Sequence, residues 1–443
     1  MGENTLAKRF TAFSLLRFAF PNIIMMMFLS TYTVVDGMFV SRLVGTLALS
    51  SLNMSWPLLS VELALAIMLA TGGSAVIARK QGEGKAQEAR EDFTFFLCAG
   101  AVTGAVYAAV SLLFLEPILV LLGTSAAQMP DCIEYTRISL YFAPAMFLQT
   151  LFQTYFVTAG KPTLGLGVTV SGGIGNVIMD YVLMGPANIG VGGAAIATGI
   201  SYMIPAVFGL LYFWRVRTGS LYLVKFPARW RMLRQACGNG ASEMVTNVAN
   251  AVTTFLFNIL FMRYWQEDGV ASITMILYFQ FVFGAAFFGF SMGVSPVISY
   301  KYGANDTEQL KHIIKVCVRF VLACALGIYL YSLLSIRTLL TIFTETGSPA
   351  FQITLDGFPY FAPAFLLMGL SVFASAMFTA LSNGVVSAII SFGRTFIFLV
   401  GMLLLLPELL GQIGIWLAVP VAEAMGLVVS VLCLLWGRKR YHY

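Results

Sequence analysis

Long apolar runs separated by short polar stretches recur along the whole chain. A helix needs roughly 20 apolar residues to cross a bilayer core of ~30 Å. Runs that meet this fall near 15–40, 47–78, 93–115, 132–158, 163–185 and 189–214, and again near 237–262, 270–300, 311–335, 352–381, 385–406 and 411–436. The pattern predicts twelve spanning helices. An even number puts both ends of the chain on one side, and the basic residues indicate which. With the N-terminus inside, 22 of the 26 Lys and Arg fall on or near the cytoplasmic side, leaving Arg42, Arg137, Arg263 and Arg337 outside. This is the asymmetry of the positive-inside rule, and one missed span would scramble it.

The stretch 215–236 carries Arg215, Arg217, Lys225, Arg229, Arg231 and Arg234. It divides the chain into an N-terminal six-helix lobe (1–214), a basic cytoplasmic linker (215–236) and a C-terminal six-helix lobe (237–443). The halves repeat each other. "YFAPA" at 141–145 returns at 360–364, and "GGSAVIARKQG" at 72–82 aligns with "GVSPVISYKYG" at 293–303. The offsets, 219 and 221, are nearly equal and fall in equivalent helices. Each half holds an even number of spans, so the repeats share one orientation and are related by an axis along the membrane normal. The fold class read from these patterns is an all-α polytopic membrane protein, with two six-helix lobes related by a pseudo-two-fold.

Composition agrees: 59% of residues are hydrophobic and only 10% charged, against about 25% charged in soluble domains. The net charge of +6 sits in short loops and is no nucleic-acid signal. Lys8, Arg9 and Arg17 precede a first run that lacks a small-residue cleavage site, so it reads as a retained helix. The six cysteines form no CxxC pair and the two histidines flank no ligand cluster, which predicts neither a disulfide framework nor a zinc site. There is no GxxxxGK[ST] loop and no hydrolytic constellation, so the chain reads as no enzyme and needs no cofactor. The glycines of "GLGVTVSGGIG" (165–175) lie inside a span, where small residues serve close helix packing. Two repeats facing a cleft predict alternating access driven by an ion gradient.

Ionisable groups at bilayer depth are costly and mark function. Asp36 and Asp180 lie in the outer halves of their helices, at matching depth. Asn176 is one turn before Asp180, and Thr198 enters its helix from the same side. Two carboxylates, an amide oxygen and a hydroxyl make an oxygen cage for Na⁺ or, since two adjacent acids cannot both be charged without cost, a proton site. The competing reading is of wet residues at helix ends. In the second half Asp36 aligns with Asn258, and Asn176 and Asp180 align with "FLVGMLLLLP" (398–407), so the acid pair is one-sided. Glu243 reads either as a second cation or substrate group or as a solvated, loop-proximal acid. Glu62 and Glu423 have no evident partner in the sequence. Gln149 and Gln153 share a helix face near Tyr155, and the Phe- and Met-rich stretch 276–293 includes Met292. These residues, with Glu62 and Glu243, are candidates for a substrate cavity, against the simpler reading of packing residues. Arg394 is the main basic residue inside a span.

Several motifs together resemble a known family. They are the Pro21 to Val40 pattern "P-x(14)-D-G-x-F-V", "GGSAVIARKQGEG", "FVTAGKP" (156–162), "GNVIMDYVLMGP" (175–186), "GVGGAAIATGIS" (190–201) and, in the second half, "GVSPVISYKYGA". Their order and spacing resemble the multidrug and toxic compound extrusion (MATE) transporters, in the prokaryotic DNA-damage-inducible branch. The resemblance implies a twelve-helix, two-lobe, V-shaped antiporter; the chain is expected in the bacterial or archaeal inner membrane, with no nucleic-acid partner, and nothing in the sequence demands more than a monomer. It would expel small organic cations and drugs in exchange for H⁺ or Na⁺. It also implies a first-lobe cation site at Asp36, Asn176, Asp180 and Thr198, with Pro21 the point where the first helix bends. Some relatives carry a second-lobe acid that Glu243 matches, but "GNGASEMVTNV" departs from their pattern. The alternative function is a lipid-linked saccharide flippase, a class usually marked by more helices and a cationic cavity, or an exporter of another amphipathic metabolite.

Overall fold

The computed structural model describes residues 5–443, apart from the side chains at 34, 38, 41, 46 and 251. Helices account for all its regular structure, as a bilayer requires of a chain whose backbone groups must be satisfied within each segment. They are α1 (Ala12–Leu43), α2 (Thr46–Gly82), α3 (Ala86–Leu113), the short α4 (Leu115–Leu121), α5 (Met129–Tyr141), α6 (Ala143–Thr158), α7 (Pro162–Met184) and α8 (Val191–Arg215). The second half comprises α9 (Trp230–Gly303), α10 (Thr307–Leu340), α11 (Pro349–Phe361), α12 (Pro363–Ala380), α13 (Gly384–Phe392), a π turn (Gly393–Phe398), α14 (Leu399–Leu410) and α15 (Gln412–Tyr441). Polar caps start several of them. Thr11 and Ser14 form a reciprocal capping box on α1, and Asp306 and Ser348 accept the amides of Gln309 and Phe351, satisfying donors a helix start leaves open.

Among the described residues ten helical runs are long and apolar enough to cross a membrane, nine of them single helices and the tenth α13, the π turn and α14 taken together. The twelve-span plan is recovered because α9 bends at Gln266 (φ 55°, ψ −141°) into two arms, and because α5 with α6 makes one broken span. A second broken span is α11 with α12. Both breaks fall inside the repeated "YFAPA": α5 stops at Tyr141, α11 stops at Phe361, and each following helix has a proline in its first turn. Proline lacks the amide that would continue the ladder. The sequence reading expected continuous helices there and missed the kinks.

The duplication is visible in single hydrogen bonds. Thr136 donates to Ser55 at 2.8 Å, and Thr354 donates to Ser272 at 2.8 Å. The two helices ending in the other repeated motif meet each other. Gly82 of α2 faces the carbonyl of Tyr300, and Gly303 of α9 faces the carbonyl of Arg79. A methyl group on either would overlap that backbone, so this pseudo-symmetric contact requires glycine at both ends.

Apolar burial is organised by lobe. Phe93, Phe147, Phe152, Tyr155, Phe156 and Phe213 fill the first, with Phe93 and Phe213 rings 4.8 Å apart edge to face, a favoured aromatic geometry. The second lobe has a larger core, and Leu15, Phe18 and Ala19 of α1 belong to it. Further along, Asn22 donates to the Gly289 carbonyl of α9 at 2.8 Å. Then α1 changes partner: Thr169 of α7 reaches Met25, and Val40 packs with Val191 and Ala194 of α8. Pro21 lies inside α1, close to this crossover. Leu121 and Leu334, 86% and 85% exposed, face outward as lipid-contacting residues do.

Helix α9 begins at Trp230, so the last residues of the expected linker are helical. The strand of chain before it adheres to the first lobe. Val224 donates to Thr94, Arg90 donates to the Ser220 carbonyl, and Arg229 pairs with Glu88 and Glu91.

Candidate functional site

Helices α1 and α7 cross with little between them. Gly173 of α7 abuts the ring of Phe28 in α1, and Gly172 abuts the Ser201 carbonyl of α8. The glycine run read as a packing surface is one. This proximity brings Asp36 and Asp180 together, with their carboxyl groups within hydrogen-bonding reach of each other. Two carboxylates are acceptors only, so no bond joins them until one carries a proton. In charged form both oxygens of Asp180, one oxygen of Asp36, and both polar atoms of Asn176 are buried without a partner. Asn176 and Asp180 are fully buried and Asp36 is half-buried. The reading of these acids as wet helix-end residues is thereby overturned for Asp180.

Buried polar groups are almost always satisfied. Five unpartnered polar atoms thus gather on two adjacent helices. The donor set is hard oxygen plus one amide, which fits a proton or a small hard cation. Among the described residues no three His, Cys, Asp or Glu side chains group as a metal cluster, so the carboxylates act as a pair.

Three tyrosines lie within electrostatic range of one or both acids, and the sequence alone does not reveal two of them. Tyr32 of α1 and Tyr135 of α5 are within electrostatic range of both acids, and Tyr202 of α8 is within range of Asp36, Tyr32, Tyr135 and Glu62. Tyr32 was detectable: it stands one turn before Asp36 on the same face. Tyr135 and Tyr202 come from helices whose approach no local pattern reveals. Thr198 is half-buried one turn before Tyr202, on the face of α8 that carries that ring. Glu62 is buried in α2, with Tyr107 and Tyr202 in range.

The other candidates separate. Glu243 and Met292 line a second-lobe cavity of about 20 Å³ with Thr246, Ser375, Ser391 and Arg394, enough room for a single water. Glu243 is 7% exposed, so it is no solvated loop acid. Glu423, without an evident partner in the sequence, has one: Arg394 Nη1 lies 3.2 Å from its Oε1. Arg394 sits in the π turn, a local widening often found at functional positions. Hydroxyls fill the space around them, with Ser375 bonded to Ser387 and Ser391, and Ser387 bonded to Ser242 and Thr379. Gln149 and Gln153 are buried on α6, the latter with an unpartnered Nε2. Tyr155 is in the aromatic core, its ring 5.5 Å from Phe93, and does not reach the cavity of Glu243 and Met292.

Known proteins resemble this chain over most or all of its length. The multidrug export protein MepA of Staphylococcus haemolyticus is 25% identical over 307 residues, 69% of this chain and 67% of that protein. MepA of Staphylococcus aureus is 21% identical over 437 residues, 96% of this chain and 94% of that protein. A MATE transporter crystallised in complex with MaL6 superposes with TM-score 0.92 at 20% identity, covering 100% of this chain and 99% of the other. An outward-facing multidrug resistance MATE transporter of the MOP superfamily gives 0.91 at 21% identity, covering 100% and 98%. These solved structures bear out the two-lobe, twelve-helix fold. The MatE family model matches residues 21–182 and 244–404, one block in each half, and the chain belongs to the MATE family.

Proposed function

We propose that this chain is a secondary active multidrug efflux antiporter, exporting organic, often cationic compounds in exchange for H⁺ or Na⁺. MATE proteins are transporters, and the matched relatives are multidrug export proteins. The observation that carries the coupling site is the set of orphan atoms on Asp36, Asn176 and Asp180, buried where a proton or small cation satisfies them. Thr198 supplies a hydroxyl one turn from Tyr202. The basic end of the bundle faces the cytoplasm, and the protein works as a monomer in the bacterial or archaeal inner membrane.

In this cycle the coupling ion enters from the outside and neutralises the pair. Helix α1 feels the change at Asp36 and transmits it past Pro21 to residues seated in the second lobe. A proline-weakened helix is suited to this, because it bends where a ladder hydrogen bond is missing. Release of the ion inward returns the carrier. One charge moving inward across 100 mV supplies ~2.3 kcal/mol, enough for a concentration ratio of roughly 50-fold. Glu243, Met292, Gln149 and Gln153 remain candidates for contact with cargo. A saccharide flippase needs a cationic cavity among its spanning segments, whereas Arg394, the main basic residue inside a span, is paired with Glu423.

The test is efflux of a cationic dye from proteoliposomes, with H⁺ and Na⁺ gradients imposed separately. Efflux driven by one gradient supports antiport and names the ion. Absence of gradient-dependent efflux under both defeats the reading.

A further inference from the structure

At the basic end of the bundle, the C-terminal turns of α2, α9 and α15 converge around a cavity of about 380 Å³. Its wall includes Arg79, Lys301 and Arg440, and none of its lining residues is acidic. The carboxylates nearby lie outside that wall and are engaged. Glu83 is shared between Arg79 at 2.9 Å and Lys85 at 2.8 Å. Asp306 is 3.4 Å from Lys301, whose Nζ also reaches the Ala7 carbonyl. Arg440 stacks over Trp436 and Tyr441 and, among the described residues, pairs with no carboxylate. The Ser382 hydroxyl, in the same wall, is buried with no hydrogen-bond partner. The cavity thus has excess positive charge, two guanidinium forks and an unused hydroxyl, in a volume typical of ligand pockets.

We propose that this cavity binds a phosphate-bearing anion, which fastens the two lobes together at the basic end. Guanidinium groups match phosphate oxygens in pairs, and a hydroxyl completes the donor set. The phosphate comes either from an anionic lipid headgroup, since the aromatic-basic turn of α15 lies where headgroups sit, or from free phosphate. The lobe assignment gives the consequence. Arg79 belongs to the first half, Lys301 and Arg440 to the second, and the Gly82–Tyr300 and Gly303–Arg79 backbone contacts close the seam beside them. Parting the lobes at this end separates Arg79 from Arg440 and dismantles the cavity. An anion that binds only the closed form shifts the population toward it. This consequence rests on the alternating-access reading; the binding itself does not.

The experiment is hydrogen exchange in nanodiscs, read at 79–85 and 303–307. Phosphatidylcholine discs in sodium chloride give the baseline. One arm adds inorganic phosphate at matched ionic strength, and the other replaces part of the phosphatidylcholine with phosphatidylglycerol. At about ten times the dissociation constant, exchange limited by opening slows roughly tenfold. Slowing in the phosphate arm alone assigns free phosphate, slowing in the phosphatidylglycerol arm alone assigns a headgroup, and slowing in both assigns the shared chemistry. Arg440→Gln abolishes the effect, and Ser382→Ala weakens it. No slowing in either arm overturns the proposal, as does equal slowing in Arg440→Gln. Because exchange is read without transport, failure here leaves the efflux reading intact, and a protein that binds but does not pump defeats only the efflux reading.

Discussion

The carboxyl groups of Asp36 on α1 and Asp180 on α7 face each other within hydrogen-bonding reach, in surroundings that leave both oxygens of Asp180 without a partner. Burying two acids without hydrogen-bond partners costs stability. Replacing Asp180 with Asn removes one charge and adds a donor aimed at Asp36. Asp180→Asn is therefore expected to unfold no earlier than the parent, and later by an amount on the order of 1–3 kcal/mol. Thermal unfolding in detergent, with neither coupling ion in excess, measures this. Clear destabilisation would mean the pair is structural.

The Arg394–Glu423 pair is different, because it is already satisfied. Both side chains are about one-tenth exposed, at 10% and 9%. Glu423→Gln strands a guanidinium that cannot lose its proton, although Glu243 is within its electrostatic range. Arg394→Met strands two acids that can be protonated. Each single change is expected to destabilise, and the double change less than the sum. A double-mutant cycle is predicted to give a coupling of about 1–3 kcal/mol. Additive effects would show that the two charges do not support each other.

The Gly82–Tyr300 contact seals the basic end without a side chain between the backbones. Gly82→Val places two methyl groups there, which the facing carbonyl cannot avoid. The expected result is a seam held open, with cysteine-accessibility labelling at the basic end increased several-fold and efflux reduced. Unchanged labelling would mean the lobes separate elsewhere.

The spans were legible because bilayer thickness imposes one length on every crossing helix. The lobes were legible because duplication left "YFAPA" and the "GGSAVIARKQG" pair at matching offsets. What those motifs do was not. "YFAPA" breaks a helix in each lobe, and the glycines ending the other pair lock the lobes together, both tertiary facts with no local period. The partition of α1 was also hidden. Phe18 and Val40 belong to one apolar helix, and only packing shows that they sit in the cores of different lobes.

In the candidate site, Asp36, Asn176 and Asp180 were found from depth and helical spacing. Tyr135 and Tyr202 were not, since aromatic residues in spans are common and only their approach to the acids distinguishes them. The partner of Glu423 is not legible in the sequence because Arg394 is 29 residues away, a separation that no helical rule connects. Tyr155 shows the opposite failure. Its spacing put it near Gln153, but its ring completes the first-lobe core.

Tyr135 lies within electrostatic range of both acids. Tyr135→Phe keeps the ring's packing and removes a polar hydroxyl near the pair, so efflux is expected to fall a few-fold and to persist. Initial rates of dye efflux measure this, and complete loss would move Tyr135 from a supporting to an essential role.

Ion-driven efflux by Asp36→Asn and Asp180→Asn in everted vesicles is the most direct measurement of the central claim. The account predicts that each variant inserts and folds like the parent, still binds dye, and loses gradient-driven accumulation by at least about tenfold, the effect of ~1.4 kcal/mol of lost coupling. Parent-like accumulation by both variants would contradict it.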